Sequence, residues 1–153
     1  MQRASMVRNP SKGAAAVEMA LVLPILASLL FGIMEFALIG RDKLTLVQAA
    51  RAGARAASLG KTISDIRWNV KHAAGDLPIA DSQIQVTYDD GTGQFPYIAT
   101  DDGYANTIPS GALAKVSVVN WPHQMATGSF FNWLPGVSGG NMLLSASMVM
   151  RRE

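Results

Sequence analysis

Two carboxylates stand where carboxylates are expensive. Glu18 and Glu35 are the only ionisable side chains between Ala14 and Gly40, and the run from Met19 to Met34 carries no charge. An unpaired carboxylate in a membrane-crossing helix costs roughly 2.5 kcal/mol or more, so each must lie near an end of the run or be paired. For Glu18 two arrangements are open: a cation brought to it, or a helix N-terminal acid interacting with the macrodipole for about 0.3–1 kcal/mol. Glu35 is expected to snorkel to the far interface beside Arg41 and Lys43, with a proton relay as the alternative. Other reactive residues do not assemble into a site. His72 and His123 are the only histidines, there is no cysteine, and neither histidine has metal-ligand spacing. The stretches Asp89-Asp90-Gly91-Thr92-Gly93 and Asp101-Asp102-Gly103 lack the alternating acids and terminal glutamate of a calcium loop, and the two glycines of the first are too short a motif for a nucleotide loop. No serine has an identifiable base. The sequence therefore predicts no catalytic residue, metal or cofactor.

What must position the two acids is a helix. Roughly 20 apolar residues at 1.5 Å each cross a hydrocarbon core, and the segment from Ala14 to Gly40 is long enough. Much of the 49% apolar content comes from this stretch, and the remainder reads as an ordinary soluble domain. The formal charge of +2 is also uneven: Arg3, Arg8 and Lys12 precede the segment with no acid among them. Without residues 1–13 the 13 basic residues fall by three, to 10, against 11 acidic ones, which leaves little support for a nucleic-acid partner despite a pI of 9.2. A secretory signal would place small residues after a short apolar core. Here Lys12-Gly13 and Ala14-Ala15-Ala16-Val17-Glu18 come first. Orientation does not follow from charge alone, since Arg41, Lys43, Arg51 and Arg55 rival the leader's cations.

Gly13-Ala14-Ala15-Ala16-Val17-Glu18-Met19-Ala20-Leu21-Val22-Leu23-Pro24, Phe31-Gly32-Ile33-Met34-Glu35-Phe36 and Ala49-Ala50-Arg51-Ala52-Gly53-Ala54-Arg55-Ala56-Ala57 together resemble the TadE-like family of minor pseudopilins of the tight-adherence (Flp) type IV pilus system. The ending Ser145-Ala146-Ser147-Met148-Val149-Met150-Arg151-Arg152-Glu153 also looks like that family's last strand. Met19 departs from the aromatic residue usual after the glutamate in Flp-type pilins. The resemblance implies a cytoplasmic prepilin leader over 1–13, cleavage between Gly13 and Ala14 by a membrane aspartyl prepilin peptidase, and methylation of the new N-terminus. It implies that the freed α-amino group, of the same or the next subunit, neutralises Glu18. It also implies an N-terminus in the cytoplasm, a single pass through the bacterial inner membrane over 14–40, and a periplasmic remainder. Its partners would be the peptidase, the major Flp pilin, other minor pseudopilins and the inner membrane, with the cell surface as destination if it enters the pilus.

Gly13, lacking a side chain, suits an extended backbone in a peptidase cleft. Pro24 removes the hydrogen bond to the Ala20 carbonyl and either kinks the helix neutrally or gives it a soft point. Over residues 41–60 the long helix continues with small residues at four-residue spacing: Ala49, Gly53 and Ala57 on one line, Ala50 and Ala54 on another. Such lines let helices approach closely, either this chain's own sheet or another pilin helix.

The remaining residues, 61–153, read as an α+β pilin-like head. Gly60 ends the long helix, and Thr62 or Ser64 caps a second one bearing Ile63, Ile66, Val70 and Ala73 or Ala74. Ile84, Val86 and Tyr88, then Val116 and Val118, then Leu144 to Met150 alternate with other residues as antiparallel strands. Pro122 to Gly140 reads as a long loop, with Trp121, Phe130, Phe131 and Trp133 either filling the core beneath it or forming a contact surface. Three functions compete: a processed pseudopilin, which needs Gly13; an uncleaved membrane scaffold of the pilus machine, which does not; and a membrane enzyme, for which catalytic residues are lacking.

Overall fold

The computed structural model describes residues 10–89 and 91–153. They form a 49-residue helix α1 (Pro10–Ser58), a second helix α2 (Ile63–Ala74), and strands β1 (Ile84–Tyr88), β2 (Tyr97–Ile98), β3 (Leu113–Gln124), β4 (Val137–Ser138) and β5 (Asn141–Arg151). The arrangement is the expected α+β one, a long apolar N-terminal helix followed by a small antiparallel sheet. Two compact units divide the chain, the first ending at Ala37 and the second running from Leu38 to Glu153.

The first unit contains the apolar part of α1. Ala, Leu and Met, strong helix formers, dominate it. Pro24 lies within α1 without ending it. Val17, Leu21, Leu23, Ile25, Leu26, Leu29, Leu30, Phe31, Ile33, Met34 and Phe36 are all exposed, and together their spacing carries them around every side of the helix. The helix begins at Pro10 rather than Ala14, because proline's fixed φ and missing N–H suit the first helical position.

In the second unit the rest of α1 becomes one-sided. Leu46, Ala49, Ala50, Ala54 and Ala57 are fully buried, while Arg51 and Arg55 remain exposed. The helix ends at Ser58, two residues before the expected limit, in a Schellman motif: Lys61 N–H donates to the Ala56 carbonyl at 3.1 Å and Gly60 N–H to Ala57 at 3.1 Å. Gly60 has φ of 76°, which a glycine adopts without a Cβ penalty. Of the two candidate caps, Thr62 caps α2, its hydroxyl accepting from Asp65 N–H at 3.2 Å. Asp101 takes a second orphan donor, Ile63 N–H, at 2.9 Å. Ile63, Ile66, Val70 and Ala74 form the buried face of α2.

The strand order is β2-β1-β3-β5-β4, with every pair antiparallel. Ile84 and Val86, Ala114, Val116 and Val118, and Leu144 and Ala146 line the core face. β3 is longer than expected, and Pro122 and His123 belong to it rather than to a loop. Its pairing with β5 shifts between Val118 and Trp121, where Val119 and Asn120 face only Ser145. This β-bulge puts Asn120 at φ of 52° and shifts the alternation by one. Ala114, Val116 and Val118 point inward before it, Trp121 and His123 after it. Pro122 is tolerated because β3 beyond Val118 has lost β1 and keeps β5 alone as a ladder neighbour.

Gly53 is where α1 lies closest to its neighbours. A Cβ built there would stand 2.4 Å from Val70 Cγ2 and 2.9 Å from Val116 Cγ1. Both contacts are branched side chains in a packed core, so neither yields easily. Gly53→Leu is expected to destabilise the head by about 3 kcal/mol, overwhelming the roughly 1 kcal/mol of helix propensity gained. Near-UV circular dichroism melts of the detergent-solubilised chain check this; an unchanged melting temperature would show that the two valines move aside.

Candidate functional site

Gly13, Ala14 and Glu18 all lie on α1, exposed. Gly13 is helical here rather than extended, and a Cβ on it would meet nothing within 4 Å. A larger side chain at Gly13 therefore meets no obstacle within the chain, and entry into a protease cleft would require the helix to unwind locally. The leader residues 1–9 lie outside the described residues. Glu18 has Ala14, Ala15, Leu21 and Val22 as its neighbours one turn away, none able to pair with a carboxylate. A cation paired with Glu18 would have to come from outside these positions, and the helix-dipole alternative needs none.

Ala49, Gly53 and Ala57 have a partner within the second unit. Both alanines are buried in its core, and Gly53 abuts α2 and β3. Of the two partners left open for these small residues, they meet this chain's own head. Pro24, in contrast, is exposed in the first unit.

The polar feature that sequence reasoning missed is a buried acid and imidazole. Asp42 of α1 and His123 of β3 are both buried, with Oδ2 and Nδ1 2.8 Å apart. Asp42 Oδ1 accepts from Arg41 Nε at 3.1 Å and Nη2 at 3.0 Å. Nearby, Lys43 Nζ donates to the Ser145 carbonyl of β5. Arg41 and Lys43 are thus engaged beside Asp42. A signal was present: Asp42 stands four, seven and eleven residues before Leu46, Ala49 and Gly53, on their inward line.

At the other end of the head, Asn106 is buried and donates through Nδ2 to the Ala57 carbonyl at 3.1 Å and the Lys61 carbonyl at 2.8 Å. Its Oδ1 accepts from Arg152, whose guanidinium lies against Gly60. Two surface carboxylates sit below their ordinary pKa: Asp81 through its hydrogen bond from Lys71 (2.8 Å), and Asp102 through the N–H groups of Ala105 (2.8 Å) and Tyr104 (2.9 Å). Among the described residues no group of three or more His, Cys, Asp or Glu side chains is arranged to hold a metal ion. The Asp42–His123 pair is enclosed in the core and has a structural role, joining helix to sheet.

A long N-terminal helix, apolar and long enough to cross a membrane, is followed by a small antiparallel sheet, an arrangement that fits a single-pass α+β protein. Residues 13–55 match the family model described as TadE-like protein. The match lies within α1 and covers well under half of the chain, so it shows a likeness to that family over the long helix alone. No curated protein and no solved structure matches the chain.

Removing one member of the buried pair leaves the facing atom of the other, Asp42 Oδ2 or His123 Nδ1, without this bond. Asp42→Ala and His123→Ala are each expected to cost about 3 kcal/mol, measurable as a fall in the head's melting temperature, while the double variant costs less than the sum. Equal and additive small losses would mean that the pair contributes nothing. For Asp81 and Asp102 the folded pKa is depressed, so their stabilisation is complete above the ordinary carboxylate value, about 3.9, and is lost as pH falls through the lower folded values. Melting temperature should therefore not respond to these two groups between pH 7 and 5, and Asp81→Asn with Asp102→Asn should flatten part of the decline below about pH 4.

Proposed function

We propose that this protein is a minor pseudopilin of the Tad (Flp) pilus system, cut between Gly13 and Ala14 by a membrane prepilin peptidase and acting as an assembly subunit rather than an enzyme. The observation that carries this reading is the family match over 13–55, which opens on the candidate cleavage glycine and covers the helix with exposed apolar residues on every side. Such a helix needs hydrocarbon or other apolar helices around it, and a subunit passing from bilayer to filament exchanges one for the other. Cleavage supplies a cation: the new α-amino group at Ala14 neutralises Glu18 within the subunit or across to the next, and so couples processing to packing. Methylation of that amine leaves its charge in place. The orientation is N-terminus in the cytoplasm, head in the periplasm, with the peptidase, the major pilin and other minor pseudopilins as partners.

Because Ala49, Gly53 and Ala57 are committed to the head, contacts with neighbouring subunits are assigned to the helix before Ala37. The second reading, an uncleaved scaffold in the inner membrane, draws on the same exposed helix. Intact mass separates the two. The chain from cells containing the cognate peptidase should lack residues 1–13, and both deletion of the peptidase and Gly13→Trp should restore them. Since a side chain at Gly13 meets nothing in the fold, failure to cut that variant would report on the peptidase site. A full-length mass in every strain leaves the scaffold.

A further inference from the structure

The loop at residues 125–140 joins β3 to β5 and contains no ionisable side chain. The depletion extends further: from Val116 to Met150 there is no Asp, Glu, Lys or Arg, and His123 is the only titratable group. The cations of these two strands are at the other end, Lys115 on β3 and Arg151 on β5. Yet the loop is not simply a buried core segment. Phe131 and Met125 are buried and anchor it, and Gly140 N–H donates to Asn132 Oδ1 at 3.0 Å. Phe130 and Trp133 project outward, 56% and 75% exposed, and Leu143 at the start of β5 is 60% exposed.

The loop's place along the head is fixed by the bonds described above. His123, two residues before the loop, meets Asp42, and the Ser145 carbonyl, shortly after it, accepts a hydrogen bond from Lys43 Nζ. The opposite end of the β3–β5 ladder lies by the end of α1, where Glu153 N–H donates to the Ser58 carbonyl at 3.0 Å. The aromatic loop is therefore at the end of the head that holds Arg41, Asp42 and Lys43. That is also where the apolar run stops, at Ile39-Gly40. From Met19 to Gly40 a helix runs about 33 Å, against a hydrocarbon core of about 30 Å, which puts Arg41 and Lys43 at headgroup level.

We propose that Phe130, Trp133 and Leu143 form a second membrane contact, seated in the interfacial layer of the bilayer leaflet from which α1 emerges. Aromatic side chains with one polar edge favour that layer, and absence of charge over the loop removes the cost of bringing it there. The inference rests on α1 being a membrane span, and goes beyond it by giving the head a defined seat on the lipid.

The test uses the full chain reconstituted into phosphatidylcholine vesicles containing lipids brominated either near the headgroup or near the chain ends. Trp68→Phe removes the other exposed indole, on α2, and Trp121 is enclosed by the core. The emission lost on adding Trp133→Ser to this background reports Trp133 alone. Leu30→Trp in the same background reports the span. Support requires quenching of Leu30→Trp by the deep bromines together with quenching of Trp133 by the shallow ones. Quenching of the span reporter with an unaffected Trp133 overturns the proposal, leaves the span intact, and means the loop faces water or another protein. If neither indole is quenched, the span reading and this proposal fall together.

Discussion

One continuous helix has to be solvated in two ways, by hydrocarbon or other helices along its first part and by a protein core along its second. The exchange occurs over a few residues around Gly40. Before it, bulky apolar side chains occupy every side; after it, alanines and Gly53 occupy one side and arginines another. Everything else in the head answers to that second part. The sheet and α2 bring valines, isoleucines and a tryptophan to a surface that offers almost no side chain of its own, so the packing relies on closeness rather than bulk.

Closeness also leaves little room for slippage, and polar bonds hold the helix at both ends of the head. At one end a carboxylate and an imidazole meet out of water; at the other Asn106 and Arg152 use carbonyls and a glycine at the helix terminus. A buried polar group accepts few alternative positions, because any shift leaves it unsatisfied. Apolar contacts supply the attraction, and these groups select one register for it.

Local patterns were legible and distant ones were not. The apolar run, the glycine stop at Gly60, a cap at Thr62 or Ser64 and the three strands with inward alternation could all be read because each is encoded within about a dozen residues. β2 and β4, with two residues each, are too short to carry a period. The extension of β3 was hidden by Pro122, which argues against a strand until one knows that β1 stops earlier. The four loop-region aromatics divided, Trp121 and Phe131 inward, Phe130 and Trp133 outward, a choice set by tertiary neighbours. Asp42 and His123 are separated by 81 positions, and only the fold makes them adjacent. Gly13, Ala14 and Glu18 stood out for the opposite reason: the resemblance they carry lies in a short linear motif that needs no fold.

The bulge at Val119-Asn120 gives β3 a parity. Counting from Val116, the residue that faces inward changes from even to odd positions, and the Asp42 contact exists only on the odd side. The strand therefore behaves as a counter: losing Val119 or Asn120 would leave a regular ladder with a single residue opposite Ser145 and with Trp121 and His123 still inward, whereas losing one at Pro122 would take His123 off the inward face. Length variation among relatives of this head should therefore be tolerated at the bulge and in the turn before Asn141 and be filtered from Trp121 to His123, so that insertions and deletions, more than substitutions, would mark where helix and sheet are joined.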